Sequence, residues 1–192
     1  MEPLFVLLNA IARMSQELEA HLRSILQHAA YKKDEFILKK GRVNRNIYFI
    51  ESGLVRVFYE LGDREVTSWF LSEGGIFISV KSFFRQQPSK DNIVALEDCI
   101  CWFITYEQLE ETCRLFPEFY KHRTWITEEY YCLSEARHED MQGKLAEERY
   151  AQFVEKHPDL LLRVPLNLLP SYLDVAPSTF NKIRSDYANG RR

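Results

Sequence analysis

The chain has 192 residues, of which 46% are hydrophobic and 14% aromatic, with 13 Phe and 10 Tyr. That supply of apolar side chains suffices for one large core or two small ones and excludes a disordered chain. The net charge of −3 excludes a uniformly basic nucleic-acid coat protein, while leaving room for a local basic patch.

Residues 4–30 place apolar side chains at helical spacing, among them Leu18, Leu22, Ile25 and Leu26. They predict one or two amphipathic helices, with Ser15 as an N-cap ahead of Glu17 and Glu19. At Tyr31 the period shortens to two. Residues 35–40 alternate with Phe36 and Leu38 on one face, residues 41–45 read as a turn, and residues 47–50 form an apolar run closed by Glu51-Ser52-Gly53. Residues 54–60 put Val55, Val57 and Tyr59 on one face. Gly62-Asp63 turns the chain back into residues 65–71, residues 72–75 turn again, and residues 93–104 hold two short strands around Glu97-Asp98. Short strands at regular spacing with glycine turns predict an antiparallel sandwich or roll.

Four cysteines, Cys99, Cys101, Cys113 and Cys132, fall in a chain without a secretory signal, since residues 1–14 are interrupted by Asn9 and Arg13. Nor is there an apolar run near the roughly 18 residues of a membrane span. The expectation is no membrane partner, a cytoplasmic location and free thiols. Cys99 and Cys101 flank Ile100, share one face of a strand and read as core. A metal site would need further donors at suitable spacing, so none is expected.

From Tyr106 the pattern is helical. Residues 106–115 form a short helix before Pro117, and a long helix follows over residues 118–141. Phe119, Ile126 and Leu133 recur every seven residues along it, with Tyr130 four beyond Ile126. This stripe suits a seam between two copies of the chain, or packing against the chain's own β-domain. Gly143 breaks the helix, residues 145–156 restart it, and His157-Pro158 ends it.

The charge is concentrated at the C-terminal end. Residues 163–192 hold five basic side chains (Arg163, Lys182, Arg184, Arg191, Arg192) against Asp174 and Asp186, which leaves them at +3 and the remainder at −6. The excess fits a small polyanion-facing module or a solvated terminus. Within it, residues 166–172 and 177–187 predict two short helices joined by Leu173-Asp174-Val175-Ala176, with Pro177 at the first position of the second. Two helices joined by a tight turn match a helix-turn-helix. Leu169, Leu173, Val175, Phe180 and Ile183 would form its core, leaving Ser178, Thr179, Asn181, Lys182, Arg184 and Ser185 outward. Hydroxyls and amides there can reach base edges, and Lys and Arg can neutralise phosphates; the alternative is a solvated polar face. Pro170 fits only if its helix begins near Leu166 or Asn167, and Asp174 must take the left-handed conformation. No β-hairpin wing is expected after Gly190.

Three segments together resemble the Crp/Fnr regulator family, in particular its short Bacteroidetes-type branch, over nearly the whole chain. The first is Gly41 with Ile47-Tyr48-Phe49-Ile50-Glu51-Ser52-Gly53-Leu54-Val55-Arg56-Val57. The second is Ala146-Glu147-Glu148-Arg149-Tyr150 with Glu155-Lys156-His157-Pro158-Asp159-Leu160 and Arg163-Val164-Pro165. The third is Ser171-Tyr172-Leu173 with Ala176-Pro177-Ser178-Thr179-Phe180 and Lys182-Ile183-Arg184. The resemblance implies an α+β fold: a β-roll sensor of cyclic nucleotide-binding type over residues 1–116, a dimerisation helix over 117–142, and a C-terminal helical domain over 143–192 with its helix-turn-helix near 166–187. It also implies a homodimer acting on double-stranded DNA.

Cyclic-nucleotide binders of that family hold the ribose with a Gly-Glu pair and the cyclic phosphate with Arg followed by a small hydroxyl residue. A carboxylate accepts from the 2′-OH and a guanidinium pairs with the phosphate. Aligning Glu73-Gly74-Gly75-Ile76-Phe77 with the start of that cassette puts the Gly-Glu places on Ile78 and Ser79, and the Arg place on Ser89 with Lys90 after it. Both charged anchors are missing, so control by cyclic AMP is not expected. The degenerate pocket around Ile78, Ser79, Val80, Lys81, Ser89 and Lys90 would hold another small molecule or be filled by side chains. Lys81, Arg85 and Lys90 are the remaining candidates for an anion contact. Cofactors of other branches are not expected either, since the first cysteine is Cys99 and no histidine sits in a haem-ligand pattern. The expected function is a DNA-binding transcription regulator. The competing reading is a ligand-binding or scaffold protein of the same fold that has lost DNA binding. An enzyme is not expected, because nucleophile-elbow, phosphate-loop and metal motifs are missing.

Overall fold

A computed structural model describes residues 1–190. Arg191 and Arg192, part of the basic C-terminal excess, lie outside the described residues. The protein is α+β: two antiparallel four-stranded sheets form a β-roll, flanked by N-terminal helices, one long helix and a set of C-terminal helices.

Helix α1 (Glu2–Ile11) and helix α2 (Gln16–Ile25) open the chain, and the Ser15 hydroxyl accepts from the Leu18 N–H as the expected N-cap. Helical structure ends at Ile25. The prediction of helix to Ala30 is corrected, because Gln27–Tyr31 form strand β1, paired antiparallel with β8 (Cys99–Thr105), Ala29 opposite Cys101. Five residues cannot sustain a helix of their own, and here their backbone groups are satisfied by a neighbouring strand far along the chain. Strands β2 (Phe36–Leu38), β3 (Asn46–Ser52), β4 (Val55–Leu61), β5 (Arg64–Leu71), β6 (Ile76–Phe77) and β7 (Asp91–Ala95) complete the roll. The sheet orders are β1-β8-β3-β6 and β2-β7-β4-β5. The simple alternation expected for Phe36 and Leu38 fails at a register irregularity between them, so Leu38 is buried while Phe36 is exposed.

The roll's interior is built from Ile50, Val55, Val57, Phe77, Ile93, Ala95, Cys99 and Cys101. The two cysteines sit on one inward face as the alternation requires. Burial pushes the Cys101 thiol up to about 12, which makes it an inert apolar filler. Gly53 sits at φ +105°, and a Cβ there would lie 2.5 Å from Cys99 Sγ and 2.7 Å from the Asp98 carbonyl oxygen.

Helix α3 (Val80–Arg85), which follows β6, was not evident in the sequence. Helix α4 (Tyr106–Leu115) matches its predicted span and starts with a capping box between Thr105 and Gln108. Pro117 begins a 3₁₀ turn, Pro117–Phe119, before helix α5 (Tyr120–Gly143). Helix α6 (Ala146–Lys156) and an unexpected short α7 (Pro158–Arg163) lead to a second 3₁₀ turn (Leu166–Leu168), helix α8 (Leu169–Tyr172) and helix α9 (Pro177–Ala188). Pro158 both ends α6 and opens α7, since a first-turn N–H needs no intrahelical partner.

The C-terminal helices pack on the outer face of the β2-β7-β4-β5 sheet. Leu54, Phe58, Phe70, Val94 and Leu96 meet Tyr150, Phe153, Val164, Leu169 and Leu173 in one continuous core. Substituting Gly53 with Ala is expected to lower unfolding stability in urea by about 2 kcal/mol or more, because a left-handed backbone and a collision with Cys99 add together.

Candidate functional site

The C-terminal helix pair has the geometry its sequence requires. Pro170 is the second residue of α8, and the turn before it is 3₁₀, so its missing N–H falls where none is needed. Asp174 has φ +51°, the left-handed conformation the tight connector demands. Leu169, Leu173, Phe180 and Ile183 are buried, with Val175 packed against them. On the opposite side of α9, Ser178, Thr179, Asn181, Lys182, Arg184 and Ser185 are all exposed. No side chain caps the N-terminus of α9, and its first residue, Pro177, carries no N–H, so Ser178 and Thr179 supply its first backbone donors.

Three arginines to which the sequence gave no such role hold this module in place. Arg149 of α6 donates to the carbonyls of Leu173 (2.9 Å), Asp174 (3.2 Å) and Lys144 (2.6 Å), bracing the connector. Arg137 of α5 donates to the Tyr172 carbonyl (2.8 Å) and the Thr67 carbonyl (3.3 Å) and lies over the Tyr172 ring. Arg163 grips Glu73 and Glu97 together, with contacts of 2.6–3.0 Å. Arg149 and Arg163 lie inside quoted motifs. Their roles are invisible there because the carbonyls and carboxylates they meet come from other segments.

In the β-roll, the two places where charged anchors would stand come together as a closed polar network. Ser79 (2% exposed) and Ser89 (4% exposed) lie with their hydroxyl oxygens 2.9 Å apart. The Ser79 hydroxyl donates to Asp91 Oδ2 at 2.6 Å, and the Ser89 hydroxyl donates to the Asp91 carbonyl at 2.9 Å. The Ser79 N–H is taken by Asn44 Oδ1 (2.6 Å), and the Asn44 N–H by Ser82 Oγ (2.8 Å). Both hydroxyls are therefore already engaged with each other and with Asp91, whose carboxylate opposes any anion at this spot. Lys81, Arg85 and Lys90 are exposed. Ile78 and Val80 turn instead to a cavity of about 380 Å³ that Lys81, Ser79, Ser89 and Lys90 do not line.

The α5 stripe divides. Phe119 falls in the 3₁₀ turn before the helix and is 5% exposed within the α1–α2–α4 core, so its place on a helical seam is corrected: Pro117 resets the phase of the chain there. Ile126 is half-buried against the cavity, Tyr130 is 39% exposed beside Trp69, and Leu133 is 50% exposed. Trp125 and Tyr131 add further uncovered aromatic surface to the same helix.

Residues 28–115 match the cyclic nucleotide-binding domain family. The matched segment runs from β1 to the end of α4 and covers the β-roll. Solved structures extend the likeness to the C-terminal helices. FixK2 from Bradyrhizobium japonicum superposes with a TM-score of 0.75 at 19% identity, over 86% of each chain. The c-di-GMP responsive global regulator CLP of Xanthomonas campestris gives 0.71 at 15% identity, over 92% of this chain and 93% of that one. A protein from Eubacterium rectale assigned to the Crp/Fnr family of transcriptional regulators gives 0.73 at 14% identity, over 92% and 85%. A comparison with curated protein sequences finds no match. The chain thus has the fold of the Crp/Fnr-type regulators. Among the described residues no helix is long and apolar enough to cross a membrane.

The Arg163 guanidinium holds the Glu73 carboxyl down at about 2, from an ordinary 4.5. A lowered folded-state value means that the pair stabilises fully above about pH 4.5 and ceases to do so as the pH falls toward 2. Glu73→Gln is expected to cost on the order of 1 kcal/mol in urea unfolding at neutral pH, Glu73 being half exposed, and to cost much less at pH 2, where the folded-state carboxyl is half protonated. An equal cost at both pH values would show that the ion pair is not its source.

Proposed function

We propose that this chain is a homodimeric DNA-binding transcription regulator that does not respond to cyclic AMP. The observation that carries the reading is α9: one face completes a small core and the other presents six exposed side chains of the types that contact bases and phosphates. The uncapped N-terminus of α9 adds backbone N–H donors suited to a phosphate. The names of similar structures, a global regulator among them, support the same reading. In this reading residues 1–116 are the sensor, residues 117–142 pair two chains through Ile126, Tyr130 and Leu133, and residues 143–192 carry the DNA interface. Exposed apolar surface along a 24-residue helix supports pairing, because such a helix gains stability from a partner. The protein performs no catalysis and works in the cytoplasm.

Two measurements test this. The purified protein should bind mixed-sequence duplex DNA with an affinity that falls steeply with salt. The double substitution Lys182→Ala/Arg184→Ala should weaken binding to every sequence and lower the slope of log K against log salt by about 2 per chain. Absence of salt-sensitive binding by the unmodified protein would refute the DNA reading and favour a ligand-binding protein of the same fold. Cyclic AMP should leave the melting temperature unchanged. A true ligand at a hundred times its Kd would add roughly 2.7 kcal/mol of stability, so a clear upward shift would refute the reading of Ser79 and Ser89.

A further inference from the structure

Two segments of the β-roll carry a concentration of positive charge larger than that of the C-terminal helices. The β2–β3 loop, residues 39–45, holds Lys39, Lys40, Arg42 and Arg45, and residues 81–90 hold Lys81, Arg85 and Lys90. Neither segment contains an acidic residue, so together they carry +7 and leave the remainder of the chain at −10 against a total of −3. The fold stitches the two together. The Gly41 N–H donates to the Ser89 carbonyl and the Ser89 N–H to the Arg42 carbonyl, both at 2.8 Å. Val43 bridges to Pro88, and the Asn44 N–H donates to Ser82 Oγ at 2.8 Å.

All seven cations are exposed, and the other exposed residues of the two segments are Gly41 and Pro88. Lys40 pairs with Glu60 at 2.8 Å on the surface, and among the described residues the other six meet no carboxylate. Phe36, at the margin, lies under the Lys39 ammonium. The surface sits at the end of the β2-β7-β4-β5 sheet where Asp91 pairs with Tyr59. Arg163 is seated near the opposite end, where Val55 pairs with Ala95.

This chemistry selects its partner. None of the seven lines the cavity of about 380 Å³, and the Ser79–Ser89 place behind them is closed, so a small anion finds no enclosure. Protein interfaces centre on aromatic or aliphatic anchors and are depleted in lysine. Stable attachment to a lipid surface takes a second, apolar signal beside a basic patch. A phosphate backbone needs charge alone, and duplex DNA presents one charge per about 1.7 Å, roughly twice the density of an extended acidic peptide.

We propose that this end of the β-roll is a second DNA-contacting surface, one that holds the phosphate backbone of a duplex independently of α9 and without reading its sequence. It adds affinity and salt dependence but no base discrimination. The surface rests on the β-roll and not on the C-terminal helices, so either contact can fail without the other.

The test titrates the full chain with a mixed-sequence duplex over a series of salt concentrations, in the Lys182→Ala/Arg184→Ala background. Salt-sensitive binding should persist there. Adding Arg42→Gln, Arg85→Gln and Lys90→Gln should weaken it at least about tenfold further and lower the slope of log K against log salt by about 2 or more per chain. Removing three exposed cations elsewhere, by Arg13→Gln, Lys33→Gln and Lys121→Gln, should change neither quantity. Circular dichroism and the melting transition establish that each variant is folded. Equal losses in the two triple variants, or no loss in the folded loop variant, would overturn the proposal. If the unmodified chain binds and the Lys182→Ala/Arg184→Ala background does not, α9 alone holds DNA and the second surface is refuted. Poly-L-glutamate or anionic phospholipid vesicles bound as tightly as the duplex, and released by the same three substitutions, would instead assign the surface to an acidic protein or a membrane.

Discussion

The constraint on which the molecule depends is that the β2-β7-β4-β5 sheet is apolar on both faces. Along β4, Val55 and Val57 face the roll, while Phe58 faces outward with Leu54 just before it, and all four are buried. A strand of this kind cannot be left against solvent on either side. The roll covers one face, and the C-terminal helices must cover the other, so the module that carries α9 is bound to the sensor by the same burial that drives folding. Arg56, buried on the outer side, is tolerated because Thr67 and Glu65 accept its protons and Phe58 lies beneath its guanidinium.

Much of this architecture was legible in the sequence because it rests on local rules. The period-two segments, the glycine turns, the capping at Ser15, the inward pair Cys99 and Cys101, and the demands of Pro170 and Asp174 each depend on a few neighbouring residues. What escaped depends on distant partners. Gln27–Tyr31 is a strand only because β8 lies beside it. Phe119 leaves the heptad because Pro117 imposes a tighter turn, and a core of α1 and α4 then receives it. The short helices α3 and α7 have too few residues to show a period.

The sensor site shows the same division in chemical form. Sequence alignment could state that Ser79 and Ser89 stand where Glu and Arg would be expected. It could not state that the two hydroxyls meet, or that Asp91 contacts both of them. In place of a pair of complementary charges stands a neutral pair held on Asp91, Ser79 on its carboxylate and Ser89 on its backbone. The place that would attract a phosphate is thus closed from within, and open volume is found instead at the β6 edge.

Arg163 sits between Glu73, in the β5–β6 turn, and Glu97, in the β7–β8 turn, so one cation is shared by two loops. If the C-terminal helices slid part of the way along the sheet, both carboxylates would lose this partner at once. Together with Arg137, which ties α8 to β5 and α5, this makes the seat of the module a notch rather than a slope. A shift of the module along the sheet would have to break these contacts together.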